Sequence, residues 1–249
     1  MRKFGLIGYP LTHSFSQKYF TEKFQKENIE DASYQNFPIK KIDELTSLVE
    51  NDKELLGLNV TIPYKEQVLS LLDKIDKNAQ EIGAVNTIKI FRSNNKIKLV
   101  GYNTDVYGFQ KPLLEAIKPI HKRALILGTG GASKAVAWVL KNLDIEFSYI
   151  SRNPKTNKDI KYGEISSEQL NEYKIIINTS PVGMYPNVKD YPNLPYSGVT
   201  REHILYDLVY NPELSSFLQK GSEKKATLIN GLPMLYLQAE KTWEIWNMT

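Results

Sequence analysis

The sequence predicts an α/β fold, in one large domain or two small ones, and three observations lead there. Short apolar runs alternate with amphipathic stretches through most of the chain, the rhythm of strands laid side by side with helices between them. Near the middle, a glycine-rich turn separates an apolar run from the start of a helical pattern. In the first half, four short polar motifs sit at the ends of apolar runs.

Element by element, the first half offers strands at Phe4–Ile7, Ser33–Phe37, Leu58–Ile62, Val85–Phe91 and Ile97–Tyr102. Helices fit at Gln17–Lys26, Lys41–Val49 and Glu66–Leu72. Asn94-Asn95 reads as a hairpin turn, which makes that edge of a mostly parallel sheet antiparallel. A second series begins at Arg123, with strands at Ala124–Leu127, Phe147–Ile150, Ile175–Asn178, Ile204–Leu208 and Thr227–Ile229. Its helices fit at Ser133–Asn142, Glu168–Glu172 and Glu213–Lys220, and Met234–Trp246 reads as one last helix. Pro181–Pro195, rich in Pro, Asn and Tyr, is expected as a long loop, and loops of that length usually carry function.

Composition narrows the function. The chain has 249 residues, 41% hydrophobic and 24% charged, with no cysteine. A disulfide scaffold and thiolate chemistry are excluded, and a reducing, cytoplasmic setting is expected. The apolar stretch Phe4–Ile7 is cut off by Gly8-Tyr9-Pro10, too short for a signal-peptide core, and no run approaches a membrane span. A net charge of +4 with scattered lysines gives no nucleic-acid footprint. His13, His121 and His203 are scattered, so no metal site is expected.

Gly128-Thr129-Gly130-Gly131-Ala132-Ser133 follows the apolar run Ala124–Leu127 at once and opens a helix. This is the arrangement that grips a pyrophosphate: Gly128 permits the turn, Gly130 lets the backbone approach, and the helix start offers N–H groups and a positive dipole end. No Gly-Lys-Ser/Thr closes the loop, which excludes a P-loop. A Rossmann-like dinucleotide domain is expected, with Ser133 departing from the usual Gly or Ala at the sixth position. The next strand ends in Ser151-Arg152-Asn153, where an NAD-binding fold would hold an acid. A guanidinium suits a 2′-phosphate, so NADP is expected over NAD.

The four polar motifs are His13-Ser14-Phe15-Ser16, Asn59-Val60-Thr61-Ile62-Pro63-Tyr64-Lys65, Gly83-Ala84-Val85-Asn86-Thr87 and Gly101-Tyr102-Asn103-Thr104-Asp105. Taken singly, Ser14 or Ser16 also suits a helix cap, Asn86 and Asn103 suit turns, and Lys65 suits a solvated surface. Together, at the carboxyl ends of consecutive strands, they describe an edge that binds a carboxylate and several hydroxyls, as on a small polyhydroxy acid.

With these motifs the sequence resembles the shikimate dehydrogenase family over nearly its whole length. The same resemblance runs on through Asn178–Met184, Asp207–Pro212 and Asn230–Gln238. It implies NADPH-dependent, reversible reduction of 3-dehydroshikimate to shikimate, a step toward chorismate and the aromatic amino acids. It implies Lys65 and Asp105 as the catalytic pair, Ser14 and Ser16 at the substrate carboxylate with Tyr210 nearby, and Thr61, Asn86 and Gln238 at the ring hydroxyls. For the cofactor it implies Gly128, Gly130, Gly131 and Ala132 at the pyrophosphate, Ser151 and Arg152 at the ribose phosphate, Met184, Leu208 and Gly231 toward the nicotinamide, and Thr179 as a further cofactor contact. Because Gln238 would belong to the substrate site, the last helix is expected to return: 1–105 as substrate-binding domain completed by 232–249, and 106–231 as the NADP-binding domain. The family usually has Asn-Arg-Thr at 151–153 and a further helix after the glutamine-bearing one. The protein is expected as a monomer or homodimer with a small-molecule substrate. A paralogue acting on quinate or an aminated shikimate, and a non-catalytic NADPH-binding regulator, are the competing readings.

Overall fold

A computed structural model describes residues 1–11, 15–94, 96–152, 154 and 159–248; Ser14, and with it His13, Asn95 and Asn153, lies outside the described residues. The chain forms two compact units, Met1–Thr104 with Ala239–Thr249, and Asp105–Gln238.

The first unit contains β1 (Arg2–Gly8), α1 (Phe15–Lys26), β2 (Ala32–Pro38), α2 (Glu44–Asn51), β3 (Leu55–Val60), β4 (Lys74–Ile75), α3 (Lys77–Ile82), β5 (Thr87–Ser93) and β6 (Lys96–Tyr102). Its sheet runs β2-β1-β3-β5-β6-β4. β1 pairs in parallel with β2 and β3, and β4 with β6, whereas β5 lies antiparallel to both β3 and β6. The expected hairpin joins β5 to β6, with Ser93 opposite Lys96 and Asn94 at φ +48°. The helix expected at Glu66–Leu72 is instead a short 3-10 turn, Gln67–Leu71. It stops because Asp73 pairs both its N–H and its carboxylate with Leu99 of β6, which draws the chain out along the sheet edge.

One core of this unit is built on Ile7, Leu45, Leu58, Val68, Val85 and Ile88, all fully or nearly fully buried. A second is aromatic: Phe4, Phe20, Phe24, Tyr34 and Trp246. Trp246 comes from the last helix, α8 (Leu232–Asn247). Its ring stacks on Phe4 at 4.6 Å, and its indole N–H donates to the Ile88 carbonyl at 3.0 Å. Gly57 makes this possible, since a Cβ there would fall 2.3 Å from the indole nitrogen.

The second unit opens with α4 (Asp105–Ala116) and continues through β7 (Arg123–Leu127), α5 (Gly131–Asn142), β8 (Glu146–Ser151), β9 (Ile160–Lys161), α6 (Ser167–Glu172), β10 (Ile175–Asn178), β11 (Ile204–Asp207), α7 (Ser216–Glu223) and β12 (Thr227–Ile229). Every strand pairing is parallel, in the order β12-β11-β10-β7-β8-β9. The order reverses between β7 and β10, the doubly wound pattern that opens a ligand crevice at that point. β7 and β10 are buried along nearly their whole length, as central parallel strands covered on both faces must be. Residues 179–195 contain no helix or strand, as the long loop reading expects.

Among the described residues, α4 is the one long helix that periodicity did not predict. Gly108 and Pro112 hide it, because the proline has no N–H for the Gly108 carbonyl one turn earlier. Packing overrides this: Val106, Phe109 and Leu113 are buried on one face, and Gly108 lets α8 approach so closely that a Cβ would lie 2.5 Å from the Met234 carbonyl. No helix among the described residues is long and apolar enough to cross a membrane.

Candidate active site

In the first unit the polar motifs gather where β1 and β3 end. Thr61 follows β3, half-buried, and donates its N–H to the Ile7 carbonyl at 3.0 Å. From there the chain turns back through Tyr64, whose buried ring and hydroxyl bond to the Ile39 carbonyl (2.8 Å) anchor the segment that ends in Lys65. The Lys65 carbonyl accepts from Val85 N–H at 2.8 Å, which sets this lysine beside the residue preceding Asn86. β5 runs antiparallel, so its start, not its end, reaches this edge and carries Asn86.

Asn86 is almost fully buried. Its Oδ1 accepts from the Thr104 backbone N–H at 2.7 Å, and its Nδ2 donates to Thr104 Oγ1 at 3.0 Å. This amide therefore fixes the residue that immediately precedes Asp105. Behind it lies a buried polar cluster. Asn59 Nδ2 donates to the Asn86 carbonyl (3.3 Å) and Thr87 Oγ1 (3.4 Å), while Asn59 Oδ1 accepts from Tyr34 Oη at 2.9 Å. Ser16, half-buried at the start of α1, is hydrogen-bonded to the same Tyr34 hydroxyl, and burial pushes that phenol far above its usual range. Asn103, expected to face substrate, braces the preceding turn by donating to the Ala84 carbonyl at 2.9 Å.

In the second unit, Asp105 is the first residue of α4 and is buried. Gln238 is also buried and donates to the Leu235 carbonyl at 3.1 Å, one turn earlier in α8. Tyr210 is half-buried in the segment after β11, and burial raises its phenol.

The residues expected to hold a dinucleotide stand along the carboxyl edge of the second sheet. Gly128 adopts φ +107°, reserved in practice for glycine, and donates its N–H to the Ile150 carbonyl at the end of β8. α5 starts after Gly130 with no side chain capping it, and the space a Cβ of Gly130 would enter is open. Such a helix start presents N–H groups to an anion. Ser133 is buried and turns its hydroxyl back onto the Gly130 carbonyl at 2.6 Å, so the departure from the fingerprint leaves no polar group unpaired. Ser151 is buried at the end of β8 and Arg152 is exposed beside it, near enough to Tyr162 to oppose the rise that burial imposes on that phenol. Thr179 bonds the Leu127 carbonyl through both its N–H (3.0 Å) and its hydroxyl (2.8 Å), joining β10 to the glycine turn. Gly231 lies against the Leu208 carbonyl, 2.3 Å from where a Cβ would sit, and Met184 is largely exposed.

One network here has no counterpart in the sequence expectations. Asp207, fully buried at the end of β11, accepts from Asn178 Nδ2 (2.9 Å), Val209 N–H (3.0 Å) and the Ser215 hydroxyl, while Asn178 Nδ2 also reaches the Val182 carbonyl at 3.2 Å. Burial pushes its carboxyl up to about 6, against those hydrogen bonds. It ties together the loops that carry Met184 and Leu208. The signal for it was a polar residue closing an apolar strand, at Ile175–Asn178 and again at Ile204–Asp207. Among the described residues no group of acidic, histidine or cysteine side chains could hold a metal ion.

A doubly wound sheet with an uncapped helix behind a glycine turn, in a chain that also carries a second α/β unit with a polar strand edge, fits the class of dinucleotide-dependent dehydrogenases. A family model described as the shikimate dehydrogenase substrate binding domain matches residues 6–88. A curated relative from Clostridium beijerinckii, named shikimate dehydrogenase (NADP(+)), is 41% identical over 99% of this chain and 92% of its own. One of the same name from Methanococcus vannielii is 38% identical over 97% of this chain and 90% of its own. The solved shikimate 5-dehydrogenase of Thermus thermophilus, in complex with NADP(H) and shikimate, superposes with a TM-score of 0.84 at 30% identity, covering 99% of this chain and 94% of that one. The chain belongs to the shikimate dehydrogenase family.

Proposed function

We propose that this protein catalyses the NADPH-dependent, reversible reduction of 3-dehydroshikimate to shikimate, on the route to chorismate and the aromatic amino acids. The observation that carries the reading is likeness to shikimate dehydrogenases along the full chain, at up to 41% identity among the relatives described above. The donor set fits the cofactor: uncapped N–H groups from Gly130 onward for the pyrophosphate and the Arg152 guanidinium for the 2′-phosphate. Met184, Leu208 and Gly231 would face the nicotinamide, which when bound supplies the hydride, with Thr179 a further cofactor contact.

The protein's own work is then to hold the substrate and move one proton. Ser14, Ser16 and Tyr210 bind its carboxylate, while Thr61, Asn86 and Gln238 bind its hydroxyls. Lys65 delivers a proton to the ring oxygen in reduction and recovers it in oxidation, since an ammonium carries three donors and can serve that oxygen and a carboxylate at once. Asp105 is that carboxylate, orienting the ammonium and bonding the neighbouring substrate hydroxyl. The setting is the cytoplasm, consistent with a chain free of cysteine, and the working form a monomer or homodimer whose partner is a small molecule rather than nucleic acid or membrane.

The test is NADPH consumption with 3-dehydroshikimate, followed by absorbance, alongside Lys65→Ala. The variant is expected to fold and bind, with kcat lower by roughly 10²–10⁴. An unchanged kcat removes Lys65 from the role, and absence of turnover in the unaltered protein removes the activity.

A further inference from the structure

We propose that Thr242, on the last helix, is a positioning residue for this reaction; the inference rests on the function just proposed. Thr242 is fully buried in the first unit. Its hydroxyl meets three groups from three distant segments: Asn59 Nδ2 at 3.3 Å, Thr87 Oγ1 at 2.8 Å and Thr104 Oγ1 at 3.1 Å. A hydroxyl has one donor and two acceptor positions. It can accept from the Asn59 amide and share hydrogen bonds with both threonine hydroxyls, within the one donor and two acceptor positions it has.

The consequence falls on Thr104. Asn86 grips its backbone N–H at 2.7 Å, and Thr242 grips its hydroxyl. The residue before Asp105 is thus held at two points, while the Asn59 amide held by Thr242 also bonds the Asn86 carbonyl. One buried hydroxyl therefore sets both a hydroxyl-binding amide and the approach to the catalytic carboxylate. Four residues earlier on the same helix stands Gln238, so consecutive turns of α8 carry a residue that binds substrate and one that orients its neighbours. Such polar clusters specify one arrangement only while every member is satisfied.

The test replaces the hydroxyl alone. Thr242→Val keeps the branched shape, and Thr242→Ser keeps the hydroxyl. Thr242→Val is expected to lower kcat with shikimate about 10- to 100-fold, the effect of a displacement near 1 Å at reacting groups, while the KM for NADP+ and the folded fraction by circular dichroism stay unchanged. Thr242→Ser is expected to restore kcat. Should the valine variant fold poorly, Thr242→Ala against Thr242→Ser makes the same comparison. The proposal is overturned if the variant lacking the hydroxyl turns over like the unaltered protein, if lost activity only tracks lost folded protein, or if serine fails to rescue. An unaltered protein inactive on shikimate with either nicotinamide cofactor sinks the function and this inference together, whereas an active one indifferent to Thr242 sinks the inference alone.

Discussion

Lys65 sits on neither a helix nor a strand. Its place comes from Tyr64 anchored beneath it and from its own carbonyl bonded to Val85. A side chain set this way can be removed without unravelling a regular element, which is why the alanine variant reports on chemistry rather than on folding. Arg152 is the opposite case: an exposed guanidinium whose proposed role is to hold the cofactor's 2′-phosphate. Arg152→Ala is expected to weaken NADPH by about 10- to 100-fold, as the loss of hydrogen bonds to a charged group worth roughly 1.5–3 kcal/mol requires. NADH binding should hardly change. Titrating both cofactors by fluorescence checks it, and equal weakening would dismiss the 2′-phosphate argument.

At the scale of elements, the docking of α8 on the first sheet depends on what Gly57 lacks. The Trp246 ring occupies the space of a Cβ, in a core where Phe4 and Ile88 already fix the indole. Gly57→Ala is expected to lower stability by about 1–3 kcal/mol through overpacking. The urea midpoint should fall with its slope unchanged, and a midpoint equal to that of the unaltered protein would show that the helix end can shift freely. Elements also divide in how plainly the sequence announced them. β7, α5 and β10 were legible because continuous apolar runs and glycine punctuation coincide there. α4 was not, because a proline and a glycine are read locally while the burial of Phe109 and Leu113 is tertiary. The antiparallel course of β5 was legible only at its hairpin end.

For the whole molecule, buried ionisable groups give stability a pH signature. His203 is fully buried, with Nδ1 accepting from Thr200 N–H at 3.0 Å, and burial, assisted by Lys174, drives its imidazole down to about 4 from the ordinary 6.5. Between those values the unfolded chain takes up a proton that the native one refuses. Its contribution is complete above about pH 6.5 and is lost as pH falls toward 4, by an amount on the order of 3 kcal/mol. Asp207 acts with the opposite sign, since its folded carboxyl titrates near 6 rather than 3.8 and favours the native state as pH drops through that window. The urea midpoint of His203→Gln should therefore rise relative to that of the unaltered protein as pH falls from 7 to 4.5. A gap of constant size would refute the assignment. Of the candidate site, the glycine turn and strand-end polar motifs could be read directly. The bracing roles of Asn59, Thr104, Thr242 and Asp207 could not, because each comes from partners far away in sequence, and a lone threonine on a helix carries no local mark.

The seating of Trp246 and Thr242 in the first unit has a consequence for the order of synthesis. When residue 104 leaves the ribosome, the notch at Gly57, the face of Phe4 and the amide of Asn59 still wait for side chains on a helix that has not been translated. The second unit has every strand of its sheet in one continuous stretch and can close as it emerges. The unit made first is therefore completed after the second, and the nascent chain must carry an aromatic surface unsealed until α8 appears.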